Sequence, residues 1–247
     1  MIERLSIDLS NYCSKQCDFC YNHSNKQGNV VWQPSEVIAF AKDCIKHGTK
    51  AVSLGGGEPF EYDGVFEIIH ALYPECYLSV TSNGLPLLEK EIWDKLQLNK
   101  PDKIHITIHH PEDEKEVARV EDTVKKINLL AITAGVNLLV GDDVVAEAGK
   151  VYGRLLKFID TKNIILVPRR FSHTPSAKQL LEVAGGKPFQ SPSCLLGCKP
   201  PQNFCSVSWD KKAAPCSYVP CKEPLPTLDY VGLCSALSAV KWKSCSN

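Results

Sequence analysis

Cys13, Cys17 and Cys20 fall within one decapeptide, CSKQCDFCYN, at offsets of four and three, with no further cysteine before Cys44. Three thiolates on one short loop can hold a metal or an iron–sulfur cluster and leave one coordination position open. Structural zinc sites and complete cubanes take all four ligands from the protein. An open position implies an exogenous ligand. Catalytic zinc follows this logic, and so does a cubane with one uncommitted iron, so the triad alone does not name the metal. A second candidate is Gly55-Gly56-Gly57-Glu58-Pro59. Consecutive glycines expose backbone groups and permit close approach.

These residues need a scaffold, and the pattern supplies one. Short β-rich runs, RLSIDLS, AVSLGG, CYLSVTSN, KIHITIHH, GVNLLVG and NIILVPRR, alternate with helical segments. One helix is expected from Pro34, a favoured first position, to Gly48, a favoured stop, with Val37, Ile38, Ala41 and Ile45 on one face. Others are expected near 64–72, 88–98, 117–135 and 145–159. The alternation predicts the α/β class, with a parallel sheet of right-handed βαβ units. Ligands then gather at the carboxyl ends of the strands. The triad follows the first run, GGGEP the second and TSNG (Thr81–Gly84) ends the third.

Cys-x-x-x-Cys-x-x-Cys with an aromatic before the third cysteine, followed by GGGEP and then an Asn-Gly, resembles the radical S-adenosylmethionine superfamily. The resemblance covers roughly residues 1–170. It implies a partial (βα)6 barrel, a 4Fe-4S cluster on Cys13, Cys17 and Cys20, and S-adenosylmethionine bound through its amino and carboxylate groups to the fourth iron. It further implies that Phe19 borders the adenine. Gly55, Gly56, Gly57 and Glu58 would receive the methionine amino group, and Asn83 and Thr107 would contact ribose or carboxylate. A flavodoxin- or ferredoxin-type protein would supply electrons. The cofactor then carries the difficult chemistry, and the protein places it and excludes water.

In KIHITIHHP, His105, Thr107 and His109 alternate and so share one strand face. His109, nearest the carboxyl end, is a candidate for substrate contact or acid–base work. His105 is equally readable as a packed residue. Arg169 or Arg170 could clamp a carboxylate, since guanidinium suits bidentate recognition. Asp142 and Asp143 read as loop carboxylates.

The chain has 247 residues and 12 cysteines, with 28 basic and 28 acidic side chains. That balance offers no generic attraction for nucleic acid or anionic membrane. No apolar run reaches the length of a membrane span, and MIERLSIDLSNYC lacks the apolar segment and cleavage site of a signal peptide. A cytoplasmic location is expected. Disulfides are rare there, which favours metal binding for the cysteines. Cys44, on an apolar helix face, and Cys76 read as small buried hydrophobes.

Seven cysteines lie between Cys194 and Cys245. The expected organisation is a barrel over 1–172, a linker over 173–193 and a small Cys-rich extension over 194–247, with little regular structure past Cys194. A segment of that size relies on metal for order. Zinc and a second iron–sulfur cluster compete there. Cys198, Cys205 and Cys216 resemble the start of a SPASM or Twitch extension, which implies one auxiliary 4Fe-4S cluster. Lys211 stands where that pattern has glycine. Cys234 is the expected fourth ligand, with Cys221, Cys245 or a substrate as alternatives and Cys194 as a substitute for Cys198. The chain thus reads as a radical enzyme acting on a small molecule or short peptide. A ring-contracting 7-carboxy-7-deazaguanine synthase-like enzyme is the rival within the class, disfavoured by the tail. A non-catalytic metal-binding or electron-transfer module is the rival outside it, disfavoured by GGGEP.

Overall fold

The computed structural model of the protein describes residues 1–192 and 199–243. Packing divides it into two compact units: Met1–Asp102 with the tail from Lys199, and the stretch beginning at Lys103.

The first unit opens with three βα repeats: β1 (Arg4–Asp8), α1 (Pro34–Lys46), β2 (Ala51–Gly55), α2 (Val65–Leu72), β3 (Tyr77–Ser82) and α3 (Lys90–Leu98). β1 pairs parallel with β2, and β2 with β3; Asp8 lies opposite Gly55. Parallel pairing sends the chain off one edge after every strand, so the triad, GGGEP and the Asn-Gly turn all leave from that edge. Leu5, Ile7, Val52, Leu54, Leu78 and Val80 are buried. Alternation then puts Ser6 and Asp8 on the opposite face of β1. α1 starts at Pro34 behind a capping box of Gln33 and Glu36, and buries Val37, Phe40, Ala41 and Cys44. The third helix begins later than expected, because Pro86–Leu88 forms a separate 3-10 turn.

The second unit holds three more repeats: β4 (Lys103–Ile108), α4 (Glu114–Leu129), β5 (Thr133–Val140), α5 (Val145–Leu155), β6 (Ile164–Pro168) and α6 (Ala177–Val183). β4 pairs parallel with β5 and β5 with β6. Ile104, Ile106 and Ile108 are buried, as are Val117, Val120, Val124 and Ile127 of α4. Gly135 does not stop α4 as expected. It is the third residue of β5, and a Cβ there would lie 2.8 Å from the His105 ring. The glycine makes room for an imidazole, which periodicity could not reveal. α5 likewise ends at Leu155, short of Ile159.

The tail is more regular than expected. β7 (Phe204–Val207) pairs parallel with β1, β8 (Lys212–Ala214) folds back antiparallel on β7, and β9 (Glu223–Pro224) pairs with β8. α7 (Tyr230–Ala239) follows. Four residues of FCSV are too few to show periodicity. The backbone edge of β1 gives them partners, and an apolar interior receives Cys205 and Val207. Trp32, fully buried, anchors the hairpin by donating its indole N–H to the Ser208 carbonyl at 3.3 Å. Lys211 adopts the left-handed conformation (φ 60°) that glycine enters freely. Its ammonium pairs with Glu36 at 2.8 Å and lies 5.1 Å from the Trp32 ring centroid. These contacts offset a backbone cost of about 1–2 kcal/mol for a side-chain-bearing residue.

Candidate active site

The triad loop is held by its own backbone and by Glu61. Cys13 N–H donates to the Asn25 carbonyl at 3.0 Å, and Cys20 N–H to the Cys17 carbonyl at 3.2 Å. The Glu61 carboxylate accepts from Ser14 N–H at 2.9 Å and from the Ser14 hydroxyl. Cys13 is buried, while Cys17 and Cys20 are partly exposed. Burial pushes the Cys13 thiol up, and the Lys15 and Gln16 backbone N–H groups donate to it, which pulls it back. Phe19 is half-buried between the last two cysteines.

GGGEP is locked onto the residues just ahead of Cys13. Gly57 N–H donates to the Ser10 carbonyl at 2.7 Å and Glu58 N–H to the Tyr12 carbonyl at 2.9 Å. A Cβ on Gly57 would stand 1.8 Å from the Tyr12 oxygen; Gly56 has φ 112°, and a Cβ on it would stand 2.5 Å from the Ser10 oxygen. The glycines therefore serve first an approach of backbone to backbone. Gly55 lies in β2 beside Asp8.

Glu58 points away from solvent and ties two loops together. It is 1% exposed and accepts from Ser82 Oγ (2.8 Å), Asn83 N–H (2.7 Å) and Phe60 N–H (3.1 Å). Burial outweighs these donors and pushes its carboxyl up to about 7. The Glu58 carboxylate thereby braces GGGEP against the end of β3. Asn83 directs Nδ2 to Cys13 Sγ at 3.6 Å.

Asp8 was not singled out by sequence reasoning. Its side chain is 1% exposed, and Oδ2 has no hydrogen-bond partner among the described residues. Desolvation pushes it up to about 6; the Lys222 charge opposes this and Asp210 adds to it. Tyr21, next to Cys20 in sequence, is held far above the usual phenol range, first by the Asp8 charge and then by burial. The Tyr21 and Tyr218 rings meet at 4.8 Å. Cys216 also acts electrostatically on Tyr21. One signal was available in the sequence: in SIDLS a charge alternates with apolar residues that must be buried.

Among the described residues, the expected tail ligands Cys205, Cys216 and Cys234 occupy different elements. Cys205 is fully buried in β7 opposite Leu5, and burial pushes its thiol above the usual range, with Cys44 and Cys234 adding to the effect. Cys234 lies in α7. Cys216 follows β8 on the Tyr21 side. The Cys221 sulfur lies 3.9 Å from the Lys243 carbonyl. Cys194, Cys198 and Cys245 lie outside the described residues. Cys44 is the buried thiol expected, whereas Cys76 is half-buried; desolvation pushes them up to about 12 and about 11.

In the second unit, Thr107 is half-buried in β4 opposite Asn137. His105 meets Asn137 Oδ1 at 3.1 Å, and burial holds it down to about 4, as suits a packed, neutral ring. His109 follows β4. Its backbone N–H donates to Glu116 Oε1 at 2.6 Å, and its Nδ1 lies 3.6 Å from the same oxygen. Glu116 was missed. It is a carboxylate, 8% exposed, on the buried stripe of α4 beside Val117 and Val120. Arg169 meets Asp143 at 3.1 Å. Arg170 is buried, and His173 bonds Asp142 at 3.0 Å.

A family model described as the Radical SAM superfamily matches residues 7–139. Probable GTP 3',8-cyclases are similar to part of the chain. That of Saccharolobus solfataricus is 33% identical over 128 residues, 51% of this chain and 38% of its own length. That of Methanocaldococcus jannaschii is 30% identical over 132 residues, 51% and 44% respectively. The chain thus spans less than half of these curated relatives. Among solved structures, Streptococcus suis SuiB bound to S-adenosylmethionine superposes with a TM-score of 0.72 at 14% identity, covering 87% of this chain and 60% of that one. A structure of anSMEcpe with bound AdoMet gives 0.65 at 13%, covering 96% and 80%. At such identities the likeness speaks for the fold, and it bears out the α/β class with a partial radical SAM barrel. Among the described residues, no helix is long and apolar enough to cross a membrane. The family match covers more than half of the sequence and takes in both the cysteine triad and the glycine loop; the chain belongs to the radical SAM superfamily.

Proposed function

We propose that this radical SAM enzyme cleaves S-adenosylmethionine reductively at a 4Fe-4S cluster held by Cys13, Cys17 and Cys20. It then removes hydrogen from a small molecule or short peptide that presents an N–H or O–H donor to Asp8. The locking of GGGEP onto Ser10 and Tyr12 carries this reading, because it fixes a cofactor loop against the triad. The donor set fits the cluster: three thiols share one short loop, and N–H groups converge on the buried one. When bound, the cluster supplies an electron to the sulfonium, giving methionine and a 5′-deoxyadenosyl radical. The N–H groups of Gly57 and Glu58 are committed to Ser10 and Tyr12. What the loop offers an incoming ammonium is therefore carbonyl oxygen. A flavodoxin- or ferredoxin-type donor supplies the electron.

The substrate class follows from Asp8. A buried carboxylate accepts and does not donate when ionised. Leaving it unpaired is costly, which marks it as held for a ligand. The tilted Tyr21–Tyr218 pair beside it suits a cationic amine. A small amine or a peptide amide satisfies these groups; a phosphate would be repelled. The substrates named for the archaeal relatives are for that reason not carried over. Peptide complexes among the solved neighbours, such as SuiB with precursor peptide SuiA, favour the peptide arm.

An auxiliary cluster in the tail is part of the reading. Cys216 and Cys221 are its proposed ligands; the expected Cys198 and the alternative Cys245 lie outside the described residues. Cys205 and Cys234 are left to the packing around Cys44. Replacing Cys13, Cys17 and Cys20 together by Ala should leave about four irons per chain after anaerobic reconstitution. Adding Cys216→Ala should remove them. Retention of zinc alone by the triple variant would contradict the auxiliary cluster.

His109, whose backbone N–H is held by the Glu116 carboxylate, is proposed to exchange a proton with the substrate. His109→Ala should keep iron content and uncoupled formation of 5′-deoxyadenosine, yet lower product formation by about 10²–10⁴-fold. Equal loss of both activities would assign His109 to the cofactor. Unchanged product formation would assign it to packing.

A further inference from the structure

We infer that Asn83 is a positioning residue for the triad: its carboxamide donates a hydrogen bond to the Cys13 sulfur and thereby sets the reduction potential of the cluster. The inference rests on Cys13 being a cluster ligand. The orientation of the amide is fixed by its surroundings. Asn83 is 6% exposed, and its Oδ1 accepts from Leu85 N–H at 2.8 Å. The atom facing Cys13 Sγ at 3.6 Å must then be the NH₂ nitrogen. The backbone beneath it is held as well, since Asn83 N–H donates to Glu58 Oε2 at 2.7 Å. Glu58 is in turn pinned by Ser82 and Phe60. The donor therefore sits on a braced turn and keeps its aim without help from a ligand. This also gives the buried Glu58 carboxylate a purpose beyond packing.

The effect has a definite sign. A hydrogen bond to a ligating thiolate withdraws electron density from the iron. That favours the more negative, reduced cluster and raises its potential. Cys13 is the buried thiol of the three, and a donor matters most where water cannot substitute for it. The Lys15 and Gln16 backbone N–H groups act in the same sense, but only proline would remove them, and it would also alter the loop backbone. The Asn83 donor is on a side chain and can be replaced directly.

Two variants separate tuning from assembly. Asn83→Asp keeps the oxygen that accepts from Leu85 N–H and replaces the donor with an acceptor facing sulfur. Asn83→Ala removes the donor and the cap together. Both are loaded anaerobically and titrated by electron paramagnetic resonance, following the signal that changes when S-adenosylmethionine is added. The midpoint should move to more negative potential in both, further in Asn83→Asp. Resonance Raman should show the terminal iron–sulfur stretch at higher frequency, as expected for a lost N–H···S bond. Potentials and stretches equal to those of the unaltered protein would overturn the assignment. So would loss of iron uptake by both variants with the fold intact, which would make Asn83 a requirement of assembly. Failure of the unaltered protein to load at the triad would instead overturn the cluster reading itself.

Discussion

Replacing any one of Cys13, Cys17 or Cys20 by Ala should reduce formation of 5′-deoxyadenosine to background in anaerobic assays with reductant and S-adenosylmethionine. The expected loss is several orders of magnitude, because the reaction has no slower protein-only route: the cofactor supplies the chemistry. A cubane with two protein ligands exposes two irons and does not hold the amino acid end of S-adenosylmethionine on one. The fold should survive, since β1 and its Leu5–Ile7 packing lie upstream of the loop. Circular dichroism matching the unaltered protein, together with lost cleavage, is the expected pair of results. Persistent cleavage in the single variants would remove the triad from the reaction.

Asp8→Asn should stabilise the protein while lowering its activity. Desolvation pushes the Asp8 carboxyl from the ordinary aspartate range up to about 6. A carboxyl raised on folding holds its proton more tightly in the folded state. Its ionisation therefore costs stability in full above pH 6, and the cost fades as pH falls from 6 toward 4. Two pKa units correspond to about 3 kcal/mol. For a chain of this size that is roughly 6–12 °C in melting temperature. Asp8→Asn should thus melt higher than the unaltered protein at pH 8, with the gap narrowing by pH 5. Product formation should fall at the same time, because the amide lacks the charge that holds the donor. A lower melting temperature at pH 8 would mean that Asp8 is already paired.

Much of this was legible in the sequence, and the reason is physical. Six strands and the five helices between them follow from period-two and period-3.6 patterns. Cys13, Cys17, Cys20 and GGGEP have types and spacing that fit one chemistry. What escaped depends on contacts across the chain. Glu58 belongs to a cofactor motif, yet its carboxylate is consumed by Ser82, Asn83 and Phe60, partners visible only once β2 and β3 lie side by side. Gly135 read as a helix stop because its real neighbour, the His105 ring, is thirty residues away. Cys205 read as a ligand because it sits in a cysteine-rich tail. Its place in β7 is decided by pairing with β1, some two hundred residues earlier. Asp8 and Glu116 are single carboxylates on apolar patterns, and such residues are the signal to weigh more heavily.

The most direct test of the account is the electron paramagnetic resonance spectrum of the reduced, anaerobically loaded protein before and after S-adenosylmethionine. The account predicts a reduced-cubane signal that changes shape on addition, as the amino and carboxylate groups take the open position at the Cys13–Cys17–Cys20 cluster. 5′-Deoxyadenosine and methionine should then appear in equal amounts. A loaded, reducible cluster whose signal ignores S-adenosylmethionine, with no cleavage products, would contradict it.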